Sequence, residues 1–190
     1  MIKIERQTKE TDIVVELNVD GKGKSDIDTG IGFFDHMLES FAKHARFDVK
    51  VVCKGDIHVD FHHSVEDVGI VLGQAFYQSV FPVHNKERFG DAVIVMDESA
   101  VECAIDLSNR PFLVYEVDID GTIGQFDAEL IEEFFRAFVF NARITAHIIQ
   151  KRGKNRHHLA EASFKALAVA LRRALAEDKR AGMPSTKGVL

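Results

Sequence analysis

The sequence predicts an α/β sandwich built by tandem duplication of a strand-strand-helix-strand-helix unit. The first observation is a repeat, in which residues 40–51 (SFAKHARFDVKV) align with residues 137–148 (AFVFNARITAHI) at an offset of 97. The second is the motif HHxxE, which occurs once in each half, at residues 62–66 and 157–161. Internal repetition at so long a period is typical of a duplicated supersecondary unit.

The domain organisation follows from this repeat. A chain of 190 residues is long enough for one large domain or two small ones. We predict a single domain over residues 1–190, with repeats at about 1–82 and about 88–178 and a C-terminal PSTKG tail. Pro82–Gly90 is the best candidate for a linker. The two repeats could pack helix layer to helix layer or side by side.

The elements of the first repeat are predicted from its periodicity. Residues 2–7 and 12–19 read as strands and are followed by a glycine-rich turn signal and a polar loop. Apolar residues at helical spacing predict an amphipathic helix over residues 33–45. Residues 47–53 alternate in polarity like a strand, and the HHSVE motif opens a second helix that runs to about Phe81.

The second repeat shows the same kinds of element. Strand-like runs come first, at residues 92–96, 101–107 and 112–119. Residues 128–142 (AELIEEFFRAFVFNA) then predict a helix, and residues 144–150 (ITAHIIQ) predict a strand. The HHLAE motif opens the last helix, which is expected to run to about Glu177.

Composition and charge limit the class of protein. Hydrophobic residues make up 46% of the chain and charged residues 28%, which is ordinary for a globular protein. The longest apolar runs are much shorter than a membrane span, so we expect no transmembrane helix. The net charge of -6 argues against a nucleic-acid or anionic-membrane partner, and an anionic substrate would need a locally basic site.

The cysteines and the N-terminal residues predict a cytoplasmic protein. Cys53 and Cys103 lie in apolar, strand-like stretches. Two cysteines cannot form a disulfide framework, so we expect buried free thiols in a reducing compartment. Residues 1–10 (MIKIERQTKE) are charged and lack the apolar core of a secretory signal.

The doubled HHxxE motif is the strongest chemical signal in the chain. Positions four apart share one face of a helix, whereas adjacent positions point about 100° apart. His62 and Glu66 can therefore hold one ion together while His63 faces elsewhere, and the second motif repeats this geometry. A single HxxxE pair is most often a hydrogen-bonded surface pair. Two HHxxE motifs in one chain favour metal ligation.

The repeat also predicts further ligands. His36 lies 26 residues before His62, and its repeat mate Glu133 lies 24 residues before His157. Both are on the amphipathic helix that precedes an HHxxE helix. His36 has a capping or core role as its alternative, and Glu132 rather than Glu133 could be the inward-facing glutamate.

Seven ordered motifs resemble those of the imidazoleglycerol-phosphate dehydratases of the histidine pathway, over nearly all of the chain. They are KET (Lys9–Thr11), TGIGFFDHML (Thr29–Leu38), GDIHVDFHHSVED (Gly55–Asp67), RFG (Arg88–Gly90), DLSNRP (Asp106–Pro111), GKNRHHLAEASFKA (Gly153–Ala166) and PSTKG (Pro184–Gly188). The resemblance implies a duplicated α/β sandwich of the ribosomal protein S5 domain 2-like fold. It also implies a homo-oligomer, an octahedral 24-mer, with two manganese ions (Mn2+) per active site at subunit interfaces.

Carried over residue by residue, the resemblance implies the roles of individual side chains. The metal ligands would be His36, His62, His63, Glu66, His157, His158 and Glu161. Glu133 stands where many members have a histidine, and we include it as a ligand because a carboxylate also binds manganese. The phosphate of the substrate would be held by Arg88, Arg110, Lys165, Ser185, Thr186 and Lys187.

Carboxylates near the reacting carbons are needed as well, because the reaction requires a base within hydrogen-bond reach. The resemblance implies that Glu10 contacts the substrate there, and either Glu10 or the metal ligand Glu161 could be the catalytic base. Glu98 lies over Glu10 in the repeat and is a further candidate carboxylate.

The implied reaction is the manganese-dependent dehydration of D-erythro-imidazoleglycerol phosphate, a small phosphorylated imidazole, to imidazole acetol phosphate. No carbonyl acidifies the proton that is lost, so the imidazole must accept the electrons. A metal on each ring nitrogen would stabilise an imidazolate and lead to a diazafulvene-like intermediate. A two-metal phosphate-ester hydrolase and a non-catalytic metal-binding shell are the alternatives that the same residues allow.

Overall fold

A computed structural model describes residues 1–180 and 182–188 of the chain. The first repeat comprises β1 (Ile2–Gln7), β2 (Thr11–Asn18), β3 (Ser25–Asp28), α1 (Gly32–Ala45), β4 (Asp48–Gly55) and α2 (His62–Val80). The second comprises β5 (Phe89–Met96), β6 (Ser99–Asp106), β7 (Phe112–Glu116), β8 (Thr122–Ile123), β9 (Phe126–Asp127), α3 (Glu129–Ala142), β10 (Thr145–Arg152) and α4 (Arg156–Ala174).

The two repeats form four-stranded sheets of the same topology, which confirms the duplication. The strand orders are β1-β2-β4-β3 and β5-β6-β10-β7. In each sheet three strands pair antiparallel, and the fourth, β3 or β7, pairs parallel to its neighbour β4 or β10. A short hairpin of β8 and β9 is inserted before α3 in the second repeat.

The first repeat therefore contains one strand more than the predicted strand-strand-helix-strand-helix unit, since three strands precede α1, and the second contains three more, since the five strands β5 to β9 precede α3. In the first repeat this strand, β3, has the sequence SDID and was expected to be a polar loop. It lies at the edge of its sheet, where backbone pairing with β4 holds it. An edge strand of four mostly exposed residues needs no alternation of apolar side chains, so periodicity does not reveal it.

The four helices pack together between the sheets, in the helix-layer arrangement rather than side by side. α1 packs against α4 and α2 against α3, so every helix contacts a helix of the other repeat. α2 also covers β1 and β2, and α4 covers β5 and β6. Phenylalanine rings join the repeats, with centroids 5.4 Å apart for Phe34 and Phe134 and 5.9 Å apart for Phe41 and Phe138. Most of the core is thus shared between the repeats.

The connection between the repeats is tied to the chain that follows α4. The Asn85 N–H donates to the Gly182 carbonyl, and its own carbonyl accepts from the Asp178 N–H, both at 2.8–2.9 Å. The Glu87 N–H likewise donates to the Ala176 carbonyl. α4 ends at Ala174 instead of near Glu177, because the residues after Ala174 pair with this linker.

The cysteines are buried, and no helix of the described residues is suited to a membrane span. Cys53 and Cys103 are buried free thiols, as predicted, and burial raises the pKa of Cys53 to about 11. Within the described residues, no helix has the length and apolar character that crossing a bilayer requires.

Candidate metal centre and active site

The contact between α1 and α4 brings together His36, His157 and Glu161. One ligand atom of each lies within 4.8 Å of the others. Glu161 Oε2 is 3.2 Å from His157 Nε2 and 3.6 Å from His36 Nε2. Among the described residues, this is the one group of three metal-capable side chains that meets so closely. Two imidazole nitrogens and a carboxylate oxygen suit manganese and other first-row divalent ions, so the residues fit the implied metal.

The surroundings of Glu161 favour its ionised form. It is only 7% exposed, and Lys165, four residues further along α4, places Nζ 2.7 Å from its Oε1. Burial raises the pKa of Glu161, but Lys165, His36 and His157 together lower it more, so the pKa lies below its ordinary value. Oε1 therefore faces the lysine while Oε2 faces the two histidines.

The corresponding group on α2 and α3 is looser. His62 Nε2 and Glu66 Oε2 are 3.7 Å apart, and both side chains are nearly half exposed. Glu133 lies on α3, which packs against α2, but its carboxylate does not complete a group with His62 and Glu66 within 4.8 Å. The predicted role of Glu133 as a ligand therefore remains a prediction.

The two histidines of each motif have different carboxylate neighbours, as adjacent positions on a helix favour. The ring planes of His62 and His63 are 84° apart, and those of His157 and His158 are 85° apart. His63 Nδ1 lies 3.0 Å from Asp56 Oδ2, while its Nε2 lies 3.8 Å from Glu10. Each HHxxE motif thus presents imidazole rings in two directions.

Glu98 has a different environment from its repeat mate Glu10. Its carboxylate lies 2.8 Å from His158 Nδ1 and accepts hydrogen bonds from the Asn155 N–H and the Ser99 hydroxyl. The hydrogen bond with His158, followed by those from Asn155 and Ser99, holds the pKa of Glu98 well below its ordinary value. The Glu10 side chain is 53% exposed and has His63 as its neighbour at 3.8 Å. The Glu98 side chain is 47% exposed, so the two carboxylates differ in their hydrogen-bond partners and not in their exposure.

A separate cavity of about 300 Å³ collects five of the six residues predicted to hold phosphate. Its lining comprises Arg88, Ser108, Asn109, Arg110, Ser185, Thr186 and Lys187. Lys165 is absent from this described lining and is paired with Glu161 instead. The cavity carries three cationic side chains and two hydroxyl-bearing residues of the tail, which gives a locally basic site on an acidic protein.

Arg88 organises the wall of this cavity. Its Nε and Nη2 donate to the two carboxylate oxygens of Asp106 at 2.7 and 3.0 Å, in a bidentate pair. Its Nη1 donates to the Pro184 carbonyl at 2.7 Å. Arg88 therefore fixes the start of the PSTKG tail against the end of β6.

Two cavities flank His157, and the sequence did not predict their walls. One, of about 430 Å³, has apolar walls that include Phe33, Phe61 and Phe126. The rings of His157 and Phe33 pack edge to face, with their centroids 5.4 Å apart. The other, of about 710 Å³, is lined by polar residues that include Asp118 and Arg156. Phe126 belongs to the β8–β9 hairpin, for which a two-residue turn beginning with glycine was the available signal.

Comparisons with known proteins identify the family to which this chain is similar. A family model described as "Imidazoleglycerol-phosphate dehydratase" matches residues 29–171. The chain is similar to the imidazoleglycerol-phosphate dehydratases of Sulfurimonas denitrificans, with 64% identity, and of Sulfurovum sp., with 63% identity, each over the whole of both chains.

Two solved structures show the same fold. The enzyme of that name from Staphylococcus aureus subsp. aureus N315 is 38% identical, with a TM-score of 0.82 over 93% of this chain and 99% of that one. The enzyme from Pyrococcus furiosus, in complex with (S)-C348, is 39% identical, with a TM-score of 0.85 over 98% of this chain and 100% of that one.

Proposed function

The chain belongs to the imidazoleglycerol-phosphate dehydratase family, whose members are hydro-lyases, and on this premise we propose how its side chains serve the reaction. The substrate is D-erythro-imidazoleglycerol phosphate, and the product is imidazole acetol phosphate, a step of histidine biosynthesis. The observation that carries the proposal is the convergence of His36, His157 and Glu161 from two repeats on one point.

These three residues would hold one manganese ion. Three protein ligands leave open positions on a six-coordinate ion, where a ring nitrogen of the substrate and an oxygen can enter. Lys165 favours the ionised form of Glu161, so this carboxylate can bind the metal ion without first losing a proton. The second ion would be held by His62 and Glu66, with Glu133 as the further predicted ligand.

The exposure of the predicted ligands on α2 supports an active site that is shared between two subunits. The side chains of His62 and Glu66 are 43% and 44% exposed, and that of His63 is 35% exposed. None of these three lies in a closed group of ligands within the described part of one chain. We infer that His63 and His158 complete the metal sites across an interface with a neighbouring copy. This requires a homo-oligomer, and the family resemblance implies an octahedral 24-mer.

When bound, manganese would act as a Lewis acid on both nitrogens of the substrate's imidazole and stabilise its imidazolate form. Glu10 is our candidate for the base, because its side chain is half exposed and its neighbour His63 lies on the metal-binding face. Glu161 is the weaker candidate, since Lys165 and two histidines already occupy its oxygens. The substrate chain then loses its hydroxyl as water, and the resulting enol becomes the ketone.

The phosphate would enter the cavity at Arg88, Arg110 and Lys187. Arg110 and Lys187 offer charge, while Arg88, already paired with Asp106, mainly holds the tail in place. Hydroxyl groups of Ser185 and Thr186 can donate to phosphate oxygens. Lys165 forms an ion pair with Glu161 in this structure, so we do not propose phosphate binding as its sole role.

We place the enzyme in the cytoplasm. The support is chemical, because its two cysteines are buried thiols that form no disulfide with each other.

The test separates the dehydratase from the two alternatives. Metal-free protein and manganese-loaded protein are each incubated with imidazoleglycerol phosphate, and the ketone product and inorganic phosphate are measured in the same samples. We expect ketone from the loaded protein and very little from the metal-free protein. Release of phosphate would show a hydrolase, and failure of loaded protein to form either product would show a binding shell.

Inhibition provides a second reading of the mechanism. A 1,2,4-triazole has two ring nitrogens separated by one carbon, as an imidazolate does, so it should bind the metals and compete with the substrate. An unchanged KM at saturating triazole would contradict the role of the metals in binding the ring.

A further inference from the structure

The second histidine of each HHxxE motif has a carboxylate at the same ring nitrogen. His63 Nδ1 lies 3.2 and 3.0 Å from the two oxygens of Asp56. His158 Nδ1 lies 2.8 Å from Glu98 Oε2. An ionised carboxylate can only accept, so Nδ1 is the donor in both rings, and in the neutral ring Nε2 keeps its lone pair for another partner. The other carboxylates near Nε2 are Glu10, 3.8 Å from His63, and Asp97, 3.9 Å from His158.

Hydrogen bonds hold both of these residues in place beside a strand end. Asp56 follows β4 directly, and its N–H donates to the Glu10 carbonyl at 3.0 Å. Glu98 lies in the turn between β5 and β6, and its Oε1 accepts from the Asn155 N–H at 2.9 Å and from the Ser99 hydroxyl at 2.8 Å. Each carboxylate thus connects a histidine ring to the end of a strand.

The repeats reach this arrangement with different residues. Asp56 is the first residue after β4, and Gly153 is the first residue after the equivalent strand β10. Gly153 has a φ of +119°, and a Cβ there would lie 2.2 Å from Ser99 Oγ, so a carboxylate cannot be placed at that position. Glu98 supplies it from the neighbouring turn instead.

The use of Glu98 in place of a carboxylate at residue 153 explains why Glu98 and Glu10 have different contacts although they are equivalent in the repeat. Glu98 and Glu10 each precede the equivalent strands β6 and β2. Because Asp56 already serves His63 at Nδ1, Glu10 is not needed there and lies on the Nε2 side, at 3.8 Å. In contrast, the Glu98 carboxylate accepts hydrogen bonds from His158 and from the Asn155 N–H in the loop before α4.

We propose that Asp56 and Glu98 are positioning residues, which orient the rings of His63 and His158 and fix their Nδ1–H tautomers so that each ring presents Nε2 to a metal. The inference rests on the proposed function, in which these histidines are ligands. It assigns to the duplicated glutamates two different tasks, since Glu98 positions a ligand and Glu10 contacts the substrate. Carboxylates in such positions also increase the basicity of the imidazole.

The experiment measures the affinity of the purified, metal-free protein for Mn2+, from the electron paramagnetic resonance signal of the free ion. Asp56→Ala and Glu98→Ala are each expected to weaken manganese binding about 10- to 100-fold, the usual loss for a residue that supports a metal ligand. Asp56→Asn and Glu98→Gln should weaken it less, because an amide oxygen can still accept the Nδ1–H.

Asp60→Ala is the matched control. Its carboxylate lies in the same loop as Asp56 and carries the same charge, but it accepts the backbone N–H of His62 rather than a ring N–H. Its affinity for manganese should therefore stay within about threefold of wild type. If Glu98→Ala fails to fold, since Glu98 also accepts the Asn155 N–H, then Glu98→Gln and the two Asp56 variants decide the question.

The outcomes separate this inference from the function on which it rests. Wild-type affinity in Asp56→Ala and in both Glu98 variants would overturn the positioning role, while a manganese-dependent wild type would leave the proposed function standing. A wild-type protein that took up no manganese would overturn both. An equal loss in Asp60→Ala and Asp56→Ala would show a general effect of charge and also overturn the assignment.

Discussion

The ion pair of Lys165 and Glu161 allows a quantitative test of how the metal cluster is built. Glu161 is 7% exposed, and Lys165 Nζ lies 2.7 Å from its Oε1. Lys165→Met keeps the length of the side chain but leaves a buried carboxylate without its cation. Loss of one partner of a buried polar pair costs about 1–3 kcal/mol, and more when the remaining group is charged. We expect the free energy of unfolding of the metal-free protein to fall by about 2–3 kcal/mol.

The loss should depend on pH in a defined direction. Burial raises the pKa of Glu161, and Lys165, His36 and His157 lower it by more, so the folded-state pKa lies below the unfolded value. Such a carboxyl adds stability that is present above its unfolded pKa and is lost as the pH falls through its folded pKa. The difference between wild type and Lys165→Met should therefore be largest near neutral pH and should shrink below about pH 4.

Urea unfolding followed by circular dichroism, with a chelator present and at equal protein concentrations, measures this difference at pH 7 and in acid. Lys179→Met is the control, because Lys179 is 81% exposed and lies 3.9 Å from Glu177. Loss of such an exposed pair should change the unfolding free energy by less than about 0.5 kcal/mol. Equal stability of Lys165→Met and wild type at pH 7 would refute the reasoning.

Three further predictions concern the metal, the base and the core. His157→Ala should lose about one manganese ion per chain, measured by mass spectrometry of the metal content, whereas His84→Ala in the exposed linker should keep its full content. Glu10→Gln should lower kcat at least about 100-fold and retain the metal, since a base contributes about that factor. Phe134→Ala, which removes a fully buried ring, should lower the unfolding free energy by about 3–5 kcal/mol. Phe140→Ala, at 47% exposure, should lower it by less than about 1 kcal/mol.

Each of these predictions has a contrary result. Full metal content in His157→Ala would remove it from the ligand set. An active Glu10→Gln would leave Glu161 as the base. Similar losses for the two phenylalanine variants would mean that the shared core contributes no more than the surface.

Much of the fold followed from periodicity and from the repeat. α1 and α3 were predicted to within a few residues, because their apolar residues recur at helical spacing and face the opposite helix layer. β3 was missed because its stability comes from backbone pairing at a sheet edge, which leaves no side-chain pattern. The early end of α4 depends on pairing with the linker, a long-range contact that local sequence does not encode.

The candidate site was predictable where helical spacing determines distance. His157 and Glu161 are four residues apart, and their ligand atoms lie 3.2 Å apart as that spacing requires. The same spacing relates Glu161 to Lys165, so their ion pair could also have been predicted from the sequence, whereas the phosphate role of Lys165 stays a prediction. The contact of Asp56 with His63 could not, because it depends on the conformation of the loop between β4 and α2.

The pairing of α1 with α4 and of α2 with α3 bears on how such a chain arose. A half-length ancestor would have left its phenylalanine layer open to water, and two identical copies related by a twofold axis could have covered it for each other. Fusion of two such copies would replace an encounter between molecules with a covalent link, which makes the mutual contact far more favourable at low concentration. Once the halves could diverge, the two equivalent glutamates could acquire different neighbours, His63 at 3.8 Å for Glu10 and His158 at 2.8 Å for Glu98.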